Sequence, residues 1–246
     1  MKLNFDWNKD GKYHQYCIKC HSETVHREYI DGKTFYRCET CNALEKRSIV
    51  IDPAVNWWIA DDGEYWHESV GVFVKAPDNT YLFFGRTIFP FVLTVPSGHV
   101  DTGEKPEVAA RRELLEEVGL IADVKHISSD DIIGDSCRRG CDAHKWHAYL
   151  AELDEKPEIK VKEEGGNPVW LTVEEALSKE LSFPVFFCYN DTGTSGRRQL
   201  LEIAYLLNSG FAVRLSRTLL VFDDYLDPAQ AVESLLAGAE RVYFFV

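Results

Sequence analysis

A short acidic stretch has the spacing of a metal site on a helix. Glu113, Glu116 and Glu117 stand at positions i, i+3 and i+4, which share one face of an α-helix. Three carboxylates this close repel one another unless a cation lies among them, and such oxygen ligands suit Mg²⁺ or Mn²⁺. The alternative is a solvated acidic face. The flanking Gly98 and Gly103 favour the metal site, because glycines in a tight loop let the backbone approach a ligand closely.

The helix that would carry these carboxylates has its own start and stop signals. Pro106 suits the first turn of a helix and Gly119 suits its end. Successive residues are about 100° apart, so an aliphatic face lies opposite the carboxylates. We expect that face to be buried, and it comprises Val108, Leu114, Leu115 and Val118.

The stretch from 98 to 120 resembles the box of the Nudix hydrolases, Gly-x5-Glu-x7-Arg-Glu-U-x-Glu-Glu-x-Gly-U, where U is aliphatic. Every defined position is matched, by Gly98, Glu104, Arg112, Glu113, Leu114, Glu116, Glu117, Gly119 and Leu120. The resemblance extends over about 65–182, roughly half of the chain. One departure is Ser97, where the family often has a second glycine, and we expect only a shifted loop there.

The resemblance implies metal-dependent hydrolysis of the diphosphate bond in a nucleoside diphosphate linked to another group, such as NADH, FAD or ADP-ribose. It implies Mg²⁺ or Mn²⁺ as cofactor, held by the Gly98 carbonyl, Glu113, Glu116 and Glu117. Arg112 is then expected to orient Glu113 or a neighbouring carboxylate through a charge-assisted bond, and Glu104 to brace the loop. A non-catalytic Nudix sensor or scaffold is the alternative, although sensors commonly lose box carboxylates that survive here.

Three further residues are candidates for the same site. The general base is Glu116 or Glu117, or it lies on a later loop, where Glu163 and Glu164 are available; their alternative role is a charged hairpin tip. Arg86, at the end of a predicted strand, is a candidate phosphate contact, and its alternative role is that of an ordinary surface arginine.

The N-terminal cysteines predict a second kind of metal site. Two Cys-x-x-Cys pairs, Cys17 with Cys20 and Cys38 with Cys41, have the spacing of a zinc ribbon with four thiolate ligands. Four thiolates leave no open coordination position, so this zinc is expected to be structural. A zinc ribbon before a Nudix domain resembles the NADH pyrophosphatase group, but residues 127–136 lack the Ser-Gln-Pro-Trp-Pro-Phe-Pro signature of that group.

A second group of metal-binding residue types follows the box. Cys137, Cys141, His144 and His147 could supply ligands for another zinc, but the links are short and a strand would send His144 and His147 to different faces. The sequence favours a hairpin whose Arg138, Arg139 and His147 line the substrate cleft or the surface, and leaves the second metal open.

The elements that position these residues indicate an α/β fold. Predicted strands cover 69–75, 81–84, 89–95, 146–153 and 169–171, and Thr172 with Glu175 forms a capping box that opens a short helix. In the last part, predicted strands at 185–189, 211–215 and 242–246 alternate with helices at 197–208 and 229–237, as in a βαβ unit. Residues 190–198 resemble a simple strand-to-helix turn more than a phosphate pocket.

These elements predict three domains. They are a zinc ribbon with a connecting strand over 1–55, a Nudix α/β/α sandwich with a mixed sheet over 56–182, and a small α/β extension of unknown role over 183–246. Dimerisation through the sheet of the extension is one hypothesis.

Composition limits the classes of partner. The net charge of −13 opposes binding to nucleic acid and to anionic membranes, although the ribbon is locally more basic. Because no signal peptide or membrane span is evident, we expect a cytoplasmic protein. A small-molecule nucleotide is therefore the expected partner.

Overall fold

The computed structural model describes residues 1–162, 165–182, 184–185, 213–215, 218–221 and 241–244. The chain divides into two compact units, Met1–Cys188 and Tyr189–Val246. No helix within the described ranges combines the length and the apolar character that crossing a bilayer requires.

The first unit begins with a small all-β region that carries the four cysteines. Its strands are β1 (His14–Tyr16), β2 (Val25–Ile30), β3 (Lys33–Cys38), β4 (Leu44–Glu45) and β5 (Ile49–Ile51). Strands β2, β3 and β4 form an antiparallel sheet, and β1 pairs with β5. The turn between β2 and β3 is Asp31-Gly32, both with positive φ (49° and 73°), which is the conformation that a two-residue hairpin turn requires.

A larger mixed sheet follows. Its strands are β6 (Trp57–Ile59), β7 (Tyr65–Lys75), β8 (Tyr81–Arg86), β9 (Leu93–Thr94), β10 (Ser97–His99), β11 (Lys125–Ile133), β12 (Ala143–Glu152) and β13 (Gly165–Leu171). The order is β11-β12-β7-β8-β13, with β6 and β10 paired to β7 and β9 to β8. Only the β12–β7 pairing is parallel among these described strands. The predicted α/β fold with a mixed sheet is confirmed.

Two helices accompany this sheet, α1 (Pro106–Val118) and α2 (Val173–Leu177). Helix α1 packs on β7 and β10, and its buried Leu114 and Val118 join a core that includes Val70, Val72 and Leu82. The capping box of α2 is present, because Thr172 and Glu175 exchange the two expected hydrogen bonds.

Local sequence signals located most of these elements. The hairpin of β7 and β8 and both ends of α1 agree with the predicted positions, whereas the apolar run at 89–95 forms only the short strand β9. Strand β11 was not predicted, because its sequence Lys-His-Ile-Ser-Ser-Asp-Asp-Ile-Ile lacks a regular alternation of apolar and polar residues. It pairs with β12 at the end of the strand order, where one side needs no partner strand.

The second unit is described through three short strands, β14 (Val213–Leu215), β15 (Thr218–Val221) and β16 (Arg241–Phe244). Strand β15 pairs antiparallel with β14 and parallel with β16. In the first unit, Val185 is helical, so the strand predicted at 185–189 does not begin at this residue. The other residues of that predicted strand lie outside the described ranges. The predicted helices at 197–208 and 229–237 and the turn at 190–198 also lie outside them.

A tight approach in the large sheet gives a stability prediction. A Cβ at Gly71 of β7 would overlap the Cζ2 and Cη2 atoms of Trp146, whose ring is buried. We expect Gly71→Ala to lower the free energy of unfolding by about 1–3 kcal/mol, the typical cost of overpacking a core. Chemical denaturation measures this cost.

The matched control is Gly85→Ala in neighbouring β8, where a Cβ would meet only the Gly166 carbonyl oxygen at an ordinary 3.6 Å. Equal losses of stability in the two variants would contradict the assigned cause.

Candidate functional site

The helix with the three glutamates is defined by its two ends. Pro106 occupies the first turn, where a missing N–H costs no helical hydrogen bond. Gly119 ends the helix in the left-handed conformation (φ 71°), and its N–H donates to the Leu115 carbonyl at 3.0 Å. The helix therefore presents Glu113, Glu116 and Glu117 from a fixed frame.

The buried face of α1 differs from the predicted one. Its buried residues are Ala109, Ala110, Glu113, Leu114 and Val118. The prediction is wrong for Val108 and Leu115, which are 50% and 44% exposed. Because α1 packs against β10 as well as β7, the buried face is rotated towards Glu113, and this carboxylate is directed at Gly98 of β10.

Gly98 and Glu113 are in close proximity. Gly98 lies in β10, paired with Val70 of β7. A Cβ at this position would overlap the Glu113 carboxylate, with Oε2 only 2.6 Å away. The absence of a side chain at Gly98 thus allows the Glu113 carboxylate to approach the Gly98 backbone. The Glu113 carboxylate and the Gly98 carbonyl are two of the metal ligands that the box motif implies.

Arg112 links the parts of the box. Its Nε and Nη2 donate to both oxygens of Glu104 at 3.1 and 2.9 Å, and its Nη1 lies 2.6 Å from Glu113 Oε1. Its Nη2 also donates to the His99 carbonyl at 2.9 Å. Glu104 in turn accepts from the Asp101 N–H at 3.1 Å. This geometry agrees with the expected orienting role of Arg112 and bracing role of Glu104.

The hydrogen bonds in this network shift two pKa values. The hydrogen bond from Arg112 lowers the pKa of Glu104, and the hydrogen bond to Glu104 raises the pKa of Arg112 above its already high value. Both groups are therefore charged over the whole physiological pH range.

The three carboxylates have different surroundings. Glu117 Oε2 accepts from the Ser97 N–H at 2.7 Å, and Glu116 is exposed, with Oε2 3.3 Å from Arg112 Nη1. All three line a cavity of about 510 Å³. Among the described residues, two other groups of side chains place their metal-binding atoms closer together than these three carboxylates do. Glu113 is held by Arg112 and Glu117 by the Ser97 N–H, which keeps the carboxylates apart.

The same cavity is also lined by four cationic side chains, those of Arg112, Arg138, Arg139 and Lys162. Arg139 Nη1 contacts Asp52 Oδ2 at 2.7 Å, and Lys162 Nζ donates to the Leu115 carbonyl at 3.3 Å. The placement of Arg138 and Arg139 agrees with the prediction from their segment. The prediction is wrong for His147, which is buried in β12 with Nε2 2.8 Å from Glu68 Oε1.

The remaining predicted site residues lie elsewhere. Arg86 lines a separate cavity of about 90 Å³ and donates from Nη2 to the Phe89 carbonyl at 3.4 Å. This cavity shares Ser97, Gly98, His99 and Arg138 with the larger one, so Arg86 is adjacent to the site without lining the cavity of the carboxylates. Glu163 and Glu164 lie outside the described residues.

The four N-terminal cysteines come together as the spacing predicts. Cys17 and Cys41 have sulfurs 3.7 Å apart, and Cys20 and Cys38 have sulfurs 3.6 Å apart. Zinc–sulfur bonds of about 2.3 Å in a tetrahedron place sulfurs about 3.8 Å apart, so these atoms fit a zinc ion. Hydrogen bonding from the Cys41 N–H lowers the pKa of Cys38 to about 6, which favours the thiolate form that binds metal.

A second close group contains two of the four residues that the sequence offers for another zinc. It combines Cys137 and His144 with His67 of β7 and His99 of β10, and their ligand atoms all lie within 4.8 Å of one another. Cys141 and His147 take no part in this group, because Cys141 Sγ donates to the Tyr65 and Ala143 carbonyls. His67 and His99 lie 70 and 38 residues before Cys137, so no local spacing in the sequence indicates that they join it.

Burial and neighbouring groups set the protonation states in this group. Burial lowers the pKa of His67, and it lowers that of His99 to about 3, so both imidazoles are neutral. Burial also lowers the pKa of His144, but the Asp135 carboxylate outweighs it and raises the value to about 10. Burial raises the pKa of Cys137, yet hydrogen bonds from its neighbours bring it well below its usual value.

Comparison with known proteins gives the family. The NUDIX domain family model matches residues 66–185. The chain is similar to the NUDIX domain of Shewanella oneidensis NrtR complexed with ADP ribose, with 16% identity and a TM-score of 0.44 over 60% of this chain and 91% of that chain. It is also similar to an Ap4A hydrolase from C. elegans, with 19% identity and a TM-score of 0.40 over 59% of this chain and 99% of that chain.

A third similar structure is RenU, a Nudix hydrolase from M. smegmatis, with 16% identity and a TM-score of 0.43 over 65% of this chain and 99% of that chain. The family assignment rests on the domain match, which includes the whole glutamate helix and the Gly98 loop. Residues 66–185 therefore form a NUDIX domain, the domain of the Nudix hydrolases.

Proposed function

We propose that this chain hydrolyses the diphosphate bond of a nucleoside diphosphate linked to a second group, giving a nucleoside monophosphate and a phosphorylated product. The observation that carries the proposal is the cavity that Glu113, Glu116 and Glu117 share with Arg138, Arg139 and Lys162. Carboxylates that hold a divalent cation beside cations that hold phosphate are the two components that hydrolysis of a diphosphate requires.

The donor set fits Mg²⁺ or Mn²⁺. Gly98 offers a backbone carbonyl, and Glu113, Glu116 and Glu117 offer carboxylate oxygens, the hard ligands that both ions prefer. The close approach of Glu113 to Gly98 supports their acting together. When bound, the cation neutralises phosphate oxygens and lowers the pKa of a bound water.

The cationic side chains of the cavity would bind the substrate. The guanidinium groups of Arg138 and Arg139 can each take two phosphate oxygens, and Lys162 adds a third positive charge. The net charge of the chain is −13 and carboxylates line the same cavity, so an anionic substrate would depend on these cationic side chains together with the bound divalent cation. Arg86 would extend it from the adjoining cavity.

A carboxylate would accept the proton of the attacking water. Glu116 is exposed to the cavity and Glu117 is held by the Ser97 N–H, so both are candidates for this base. Glu163 and Glu164 of the later loop are the other candidates in this proposal. Arg112 and Glu104 would act by holding Glu113 and the loop in place.

The proposal gives each of the predicted domains its own place in the chain. In our proposal, residues 1–55 form a ribbon with a structural zinc on Cys17, Cys20, Cys38 and Cys41, residues 56–182 carry the chemistry, and residues 183–246 form an extension. The sulfur distances support the zinc, and four thiolates leave no open position for a substrate.

A substrate panel tests the function. The panel contains NADH, FAD, ADP-ribose, coenzyme A, sugar nucleotides and dinucleoside polyphosphates, each with Mg²⁺, Mn²⁺ or EDTA. Phosphate release after coupling to a phosphatase reports hydrolysis. We expect metal-dependent turnover of at least one nucleoside diphosphate derivative, with no turnover in EDTA.

The full panel also tests the alternative of a nucleotide sensor. Binding of one or more compounds in calorimetry with hydrolysis of none of the panel would overturn the proposed hydrolysis and indicate a sensor. The signature of the NADH pyrophosphatase group is missing, so hydrolysis of FAD or ADP-ribose without NADH would still agree with the proposal.

A further inference from the structure

A second group of nitrogen and sulfur ligands lies beside the proposed active site. Four elements supply one residue each: β7 gives His67, β10 gives His99, the segment between β11 and β12 gives Cys137, and β12 gives His144. His99 directly follows Gly98, and its carbonyl accepts from Arg112. The group therefore lies where the catalytic loop, the sheet and the arginine-bearing segment meet.

The distances within the group are those of ligands around one ion. His67 Nδ1 lies 3.0 Å from His99 Nε2 and 3.8 Å from Cys137 Sγ. Zinc–nitrogen bonds of about 2.0–2.1 Å and zinc–sulfur bonds of about 2.3 Å, arranged as a tetrahedron, give nitrogens about 3.3 Å apart and nitrogen and sulfur about 3.6 Å apart. The four-cysteine site of this chain matches its tetrahedral distance more closely, with sulfurs 3.7 and 3.6 Å apart where about 3.8 Å is expected.

Burial makes this group costly unless something binds it. His67 is fully buried, and its Nε2 atom has no hydrogen-bond partner among the described residues. Burying polar imidazoles without full hydrogen bonding is unfavourable, and the contact between His67 and His99 satisfies only one nitrogen of each ring. A cation bound by Nδ1 of His67 and Nε2 of His99 would take the lone pairs that now face each other, and it would leave Nε2 of His67 as the protonated nitrogen.

An outer carboxylate completes the arrangement. Asp135 Oδ2 lies 2.8 Å from His144 Nδ1, which leaves Nε2 of His144 as the nitrogen for a metal. A carboxylate beside the second nitrogen of a histidine is the usual partner of a zinc-binding imidazole, because it fixes the ring and increases its basicity.

We propose that His67, His99, Cys137 and His144 bind a zinc ion, separate from the zinc of the four-cysteine ribbon and from the catalytic cation on the glutamates. Three nitrogens and one thiolate form a closed tetrahedral set with no open position, so this zinc is structural. It fixes the loop of Gly98 and His99, and it holds Cys137 next to Arg138 and Arg139 of the cleft.

Metal analysis of the full chain tests the proposal without any activity measurement. Inductively coupled plasma mass spectrometry is expected to give about two zinc ions per purified chain, one for each closed site. X-ray absorption at the zinc edge of the same unmodified protein is expected to give a mixed shell of about 2.5 sulfur and 1.5 nitrogen ligands per zinc, the average of the two sites. An all-sulfur shell, or about one metal ion per chain, would overturn the proposal.

Two serine variants in the same segment form a matched pair. Cys137→Ser removes a proposed ligand and is expected to lose about one zinc per chain. Cys141→Ser, four residues later, keeps a hydrogen-bond donor towards the Tyr65 and Ala143 carbonyls and is expected to keep both ions. Equal zinc content in these two variants would also overturn the proposal, and the absorption spectrum of the unmodified protein decides the case if Cys137→Ser does not fold.

Discussion

Glu116→Gln is expected to lower kcat for metal-dependent hydrolysis by about 10²–10⁴-fold, the range for loss of a carboxylate that binds the cation or accepts the proton. The change removes a negative charge and keeps the shape of the side chain. Glu116 is exposed, and its only described ion pair is the contact with Arg112 at 3.3 Å, so the fold should not respond. Steady-state kinetics with the best substrate of the panel, at saturating Mg²⁺, measures the effect.

The matched control for this change lies on the same helix. Glu107 forms an exposed ion pair with Arg111 at 2.8 Å, also at i,i+4 spacing, and it does not line the cavity. Glu107→Gln should therefore leave kcat within about twofold of the unmodified enzyme, because exposed ion pairs contribute little to stability. If Glu116→Gln were as active as this control, the glutamate face of α1 would not be the site of the chemistry.

Gly98→Ala should reduce kcat/KM by about 100-fold and raise the Mg²⁺ concentration needed for half-maximal rate, because displacing a ligand by about 1 Å is that costly. The new methyl group would overlap the Glu113 carboxylate, which is the end of a flexible side chain and can swing away. The backbone pairing of β10 with β7 stays possible, so the variant should fold. Rates measured over a Mg²⁺ titration give both quantities.

The Mg²⁺ dependence separates this explanation from a general loss of structure. A folded Gly98→Ala protein whose activity and Mg²⁺ requirement equal those of Gly85→Ala would show that the contact between Gly98 and Glu113 has no part in metal binding. A variant that loses stability without any change in Mg²⁺ requirement would place the role of Gly98 in the fold alone.

Features that depend on a few neighbouring residues could be predicted from the sequence. Pro106 and Gly119 determine where α1 begins and ends, since a fixed φ and a left-handed residue act on the backbone locally. The two Cys-x-x-Cys pairs likewise come together in one small region. The box motif, spanning 98–120, identified the NUDIX domain that the family model matches over 66–185.

Other features depend on how distant elements pack. The aliphatic pattern of α1 predicted burial of Val108 and Leu115, but packing against both β7 and β10 turned Glu113 inward. A histidine such as His147 can line a substrate cleft or bind a metal. The orientation of β12 instead places the His147 side chain against Glu68. Helical or strand periodicity gives the faces of an element but not which face its neighbours will cover.

The two clusters of nitrogen and sulfur ligands differ in how far the sequence predicts them. The ribbon cysteines lie on adjoining turns, so their types and spacing alone determine that they meet. His67, His99, Cys137 and His144 meet only because β12 pairs in parallel with β7 while β10 pairs with the other edge of β7. Strand pairing between distant segments depends on the packing of the whole core. The sequence by itself therefore determined the NUDIX domain and the approach of the four N-terminal cysteines. The tertiary structure determined which side chains line the cleft and which ones form the second cluster.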